Sequence, residues 1–175
     1  LTSVLADYAE MYPVNSDVEF GDIVSVGTEM VNTYTDNVEW TAVKGQVTKL
    51  VKSTTQYQKN VIGIVSDNYS DFTSTGYNIK PEDNPMPVAL KGRVPVKVSN
   101  NSEAISPGDY LTTSNEVGRA MKATKGGQVI GKALESWIPN SGKETVMVFI
   151  EQGYQAGSSS ELAGLVFSAT LASFE

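Results

Sequence analysis

The 175-residue chain is 40% apolar and carries 13 basic against 20 acidic residues, a formal net charge of −7. That is enough apolar material for one domain with a sizeable core, and too much for a disordered chain. The acidic residues are spread without a basic cluster, which argues against nucleic acid as a partner and against membrane insertion, and no run reaches the roughly 18 apolar residues of a spanning helix.

Along the chain, residues 4–12 offer a helical turn or two, which Pro13 would end. Strand patterns follow at 23–26, 47–51, 61–65, 94–98, 129–134 and 146–150. Each is a short run rich in β-branched residues, bounded by Gly, Pro, Asn or Asp. Pro81, Pro85 and Pro87 mark a loop between the halves. Pro95 falls inside a strand pattern, which predicts an edge or a bulge there.

Three motifs recur in the same order. Gly21-Asp22-Ile23-Val24, Val51-Lys52-Ser53-Thr54 and Val61-Ile62-Gly63 are answered by Gly108-Asp109-Tyr110-Leu111, Met121-Lys122-Ala123-Thr124 and Val129-Ile130-Gly131. The Asp-to-Lys spacing is 30 residues in the first copy and 13 in the second, so the first copy carries an insertion at about 27–46. A duplicated β unit is the reading. The expected fold is all-β, a sandwich or barrel-like domain built from two duplicated β units. The divisions are a lead-in at 1–13, a first unit at 14–98, a second at 99–153, and a linker with a C-terminal strand at 154–175.

In that last segment Gly157-Ser158-Ser159-Ser160 reads as a flexible linker. Beyond it Leu165, Phe167, Ala169 and Leu171 alternate with Val166, Ser168, Thr170 and Ala172, the period of a half-buried strand. Such a strand either packs within its own subunit or is exchanged as an inter-subunit strand. Helical spacing of Leu162, Leu165, Val166 and Ala169 is the third reading.

The sequence offers little chemistry. It has no cysteine and no histidine, which removes thiolate nucleophiles, disulfides, the usual zinc sites and Ser-His-Asp hydrolases. Lys52 and Ser53 are adjacent and point to opposite faces of a strand, so a solvated lysine is preferred over a dyad. Asp67, Asn68, Ser70 and Asp71, and likewise Glu82, Asp83 and Asn84, are oxygen-rich but lack the spacing of a calcium loop, and read as Asx-stabilised turns. Gly126-Gly127 reads as a turn rather than a phosphate loop. Trp40, Trp137 and the tyrosines suit packing better than a glycan surface. No cofactor, metal or catalytic residue is expected, and a host-surface glycan has no support from these residues.

Asp7-Tyr8-Ala9-Glu10-Met11-Tyr12, Gly21-Asp22 and Asn60-Val61-Ile62-Gly63-Ile64-Val65-Ser66 resemble the C-terminal intramolecular-chaperone, autoproteolytic (peptidase G2-like) domain of phage neck appendages and tail fibres. The stretch from Leu90 through Val98, with Pro107-Gly108-Asp109 and 129–134, resembles related β domains of bacterial surface fibres. The resemblance implies a trimeric β domain on an extracellular or virion fibre that assists assembly and at most cleaves its own chain once, upstream of Asp7. A chain beginning at Leu1 is compatible with that cleavage and equally with truncation. A structural or assembly domain of a homo-oligomeric fibre is therefore the expected function. The alternatives are a bacterial filament or capsid decoration subunit joined by strand exchange, and a self-cleaving chaperone domain.

Overall fold

The structure is a computed structural model that describes residues 7–36, 38–67 and 78–157. Nine strands make one antiparallel sheet: β1 (Asp7–Pro13), β2 (Ile23–Tyr34), β3 (Val43–Lys52), β4 (Val61–Val65), β5 (Pro85–Lys97), β6 (Tyr110–Thr113), β7 (Ala120–Lys122), β8 (Gly127–Ala133) and β9 (Thr145–Gln155). The spatial order is β3-β2-β4-β5-β9-β8-β6-β7, with β1 also paired to β5. The fold is all-β as expected, and the sheet does not close into a barrel.

Both halves use one wiring. β1 to β5 and β5 to β9 each run as five strands in which the fifth pairs with the first and with the fourth, and the second pairs with the third and fourth. β5 serves both as the last strand of the first half and the first strand of the second. In each half a single parallel bridge draws the first strand's end toward the third strand, Val14 to Leu50 and Val98 to Ala120. The insertion in the first half lengthens β2 and β3 into a hairpin arm, whereas β6 and β7 are short.

The core explains why the strands read as continuous apolar runs. Val24, Leu50, Val65 and Val88 join one cluster, while their chain neighbours Ile23, Ile64 and Ala89 join the main cluster around Leu111, Trp137 and Val148. β4, the start of β2 and the middle of β5 are thus buried on both faces, which removes the polar alternation of a one-faced sheet there.

Three local expectations are corrected. Residues 7–13 form strand β1, not a helical turn. Asp7 and Ala9 are buried, while Tyr8 and Tyr12 donate from the other face to the Glu10 carboxylate at 3.0 and 3.4 Å; this period-two arrangement suits a strand. Pro85 and Pro87 lie in β5 rather than in a loop. The Pro87 carbonyl accepts from the Ser66 N–H, so its ring nitrogen faces the end of β4, where no ladder is lost. Pro95 lies in no edge strand, since β5 is central between β4 and β9, but around Pro95 β5 pairs with β9 alone. Lys97 N–H turns away from β9 to the Gly21 carbonyl, and alternation aims the proline nitrogen the same way.

The halves are latched by the loop after β3. Tyr57, with φ +52°, accepts hydrogen bonds at its hydroxyl from the N–H groups of Thr124 (2.9 Å) and Lys125 (3.1 Å). Tyr57→Phe leaves both donors without this acceptor, and urea unfolding should show a loss of about 1 kcal/mol.

Candidate functional site

The repeated Gly-Asp and Lys motifs meet in space. Gly21 and Gly108 hold φ of +86° and +91°, which turns the chain into β2 and β6. The following carboxylate accepts from the N–H three residues back, Glu19 to Asp22 at 2.9 Å and Ser106 to Asp109 at 2.8 Å. It then pairs with the motif lysine, Lys52 to Asp22 at 3.2 Å and Lys122 to Asp109 at 3.0 Å. Lys52 is therefore not a solvated lysine: its side chain is 18% exposed and bound to a carboxylate that is 2% exposed. Sequence reading named both partners in each copy and missed that they pair.

The nodes differ in burial. Asp22 lies where the halves meet and gains a second cation, Lys97, at 3.0 Å. Burial works against the Lys97 charge, but Glu19 and Asp22 outweigh it and hold its pKa above the ordinary lysine value. Asp109 is 26% exposed and has Lys122 alone. Burial pushes its pKa up, yet the Ser106 N–H and the Lys122 ammonium prevail and leave it below the usual carboxylate range. Such nodes hold turns in place.

A third carboxylate is different. Asp7, at the start of β1, is 4% exposed, and among the described residues neither oxygen has a hydrogen-bond partner of good geometry. Burial raises its pKa; the neighbouring Ser66 hydroxyl opposes the rise and the Asp67 charge adds to it. A carboxyl whose folded pKa lies above its unfolded value stabilises most below the unfolded value, and that contribution is lost as pH rises through the folded value. The Tm advantage of Asp7→Asn over the native chain should therefore grow from acidic pH upward and then level off. Equal pH profiles for the two proteins would contradict a buried, strained carboxylate.

The other candidates fall as follows. Asp67 is exposed, and its companions Asn68, Ser70 and Asp71 lie outside the described residues. Glu82, Asp83 and Asn84 end a 3-10 turn closed by Asn84 N–H to the Pro81 carbonyl. Among the described residues no group of three or more acidic side chains is placed to hold a metal ion. Trp137 is buried and donates its indole N–H to the Lys143 carbonyl at 2.6 Å, and Trp40 packs edge-on to Tyr34 at 5.5 Å. Gly126 and Gly127 lie at the turn into β8. Leu165, Phe167, Ala169 and Leu171 lie outside the described residues.

The chain matches no protein-family profile and no curated protein.

Proposed function

We propose that the chain is a structural or assembly domain of a homo-oligomeric extracellular or virion fibre or appendage. One observation carries the reading: the separate pieces of the resemblance converge on one strand. β1, with its Asp-Tyr-Ala-Glu start, and β4, with its Ile-Gly-Ile-Val run, flank β5, and Ala89 pairs with Ala9 on one side and Ile64 on the other. Halves that share a strand and latch together suit a load-bearing module better than a site that must open and close. Immunogold labelling with an antibody against this chain tests the assignment. Label on a surface fibre or virion appendage is expected, and label confined to the cell interior would contradict it.

Self-cleavage is the second reading, favoured by the buried Asp7 carboxyl where the resemblance places the cut just upstream. In that case the longer gene product splits near Leu1, and Asp7→Asn leaves it whole by mass spectrometry. An Asp7→Asn product that still splits would remove Asp7 from this role.

A further inference from the structure

In the first half, Gly118 of the β6–β7 turn plugs a slot beside Asp22. Ile23 N–H donates to the Gly118 carbonyl at 2.8 Å, and Gly118 N–H donates to the Ser53 carbonyl at 2.9 Å. Gly118 has φ +73°, and a Cβ there would meet Asp22 Oδ1 at 3.1 Å and Lys52 Cδ at 3.3 Å. The slot is thus shaped for glycine in a left-handed turn.

The second half repeats the slot. Tyr110 stands where Ile23 does, Ala123 where Ser53 does and Asp109 where Asp22 does. These three line an open cleft of about 260 Å³ with Gly108, Thr124 and Gly157. Among the described residues no main-chain group meets the Tyr110 N–H or the Ala123 carbonyl as Gly118 meets their counterparts. Asp109 also has one lysine where Asp22 has two.

We propose that this cleft receives a glycine turn from a second copy of the chain, with Ser141-Gly142-Lys143 taking the place that Val117-Gly118-Arg119 takes in the first half. Gly142 has φ +80° and no atom within 4 Å of its Cβ position, so the turn is presented open. Lys143 follows it as Arg119 follows Gly118; each is paired within its own subunit, Lys143 with Glu135 and Arg119 with Glu144, both at 3.0 Å, so the fit rests on the main chain of the turn. Cleft and turn are different surfaces, so the contact is heterologous and builds rings or filaments. This inference rests on the homo-oligomeric reading above and supplies its interface.

Gly142→Asn tests it in the full chain. Asparagine tolerates the left-handed backbone, yet adds the Cβ that the slot excludes; Gly153→Ala in β9, with no atom within 4 Å of its Cβ position and outside both turn and cleft, is the control. Sedimentation equilibrium should show that Gly142→Asn weakens association by about tenfold or more, while Gly153→Ala does not. The Tyr110 amide should exchange more slowly in the assembled native protein than in the variant. If the native chain assembles and Gly142→Asn assembles equally well, the slot assignment is overturned and the homo-oligomer stands. If the native chain stays monomeric, both are overturned.

Discussion

Gly131→Val should cost about 3 kcal/mol or more and lower Tm by about 6–12 °C, because β8 and β9 cannot remain paired around the new side chain. A Cβ at position 131 would lie 2.1 Å from the Phe149 carbonyl oxygen and 2.9 Å from its carbon. The neighbour is main chain in a central strand, so relief requires the sheet itself to shift. Gly63 stands against the Ala89 carbonyl oxygen at 2.2 Å in the same way, and Gly63→Val should cost a similar amount. Gly153 is the control: it lies in β9, no atom lies within 4 Å of its Cβ position, and Gly153→Ala should change Tm little. Comparable losses at 63 and 131 would show that the two halves rely on the same close approach.

The two Gly-Asp nodes, matched in geometry, should differ in energetic weight. Asp22→Ala strips the shared carboxylate from Lys52 and Lys97, whose side chains are 18% and 13% exposed, and should cost about 3–4 kcal/mol. Asp109→Ala removes one half-screened pair and the Ser106 hydrogen bond, and should cost about 1 kcal/mol. Guanidinium unfolding of both variants checks the ratio. Equal losses would mean that the position of Asp22 between the halves adds nothing.

The architecture was legible where the sequence repeats itself. Gly-Asp, Lys and Val-Ile-Gly recur because each does one job twice: turning the chain, pairing with the acid and letting two strands approach. The long apolar runs at 61–65 and 146–150 declared strands; at 61–65 the lack of polar alternation marked burial on both faces, whereas in β9 Val146, Val148 and Ile150 are buried and Met147 and Phe149 are half-buried. What stayed hidden depends on distant partners. The Asp22–Lys52 pair spans the inserted arm, and no local pattern announces it. Residues 7–13 carry both helical and strand spacing, and pairing with β5 decides between them. Pro85 and Pro87 look like loop residues until the end of β4 is seen beside them. Gly118, which fills the first slot, has no counterpart among the repeated motifs, so its role was invisible in the sequence.

Sedimentation equilibrium of the full chain tests the proposed homo-oligomeric fibre subunit most directly. A mass that is a whole multiple of 18.8 kDa is expected, three copies if the resemblance holds, and stable to dilution. A single 18.8 kDa species at every concentration would contradict it.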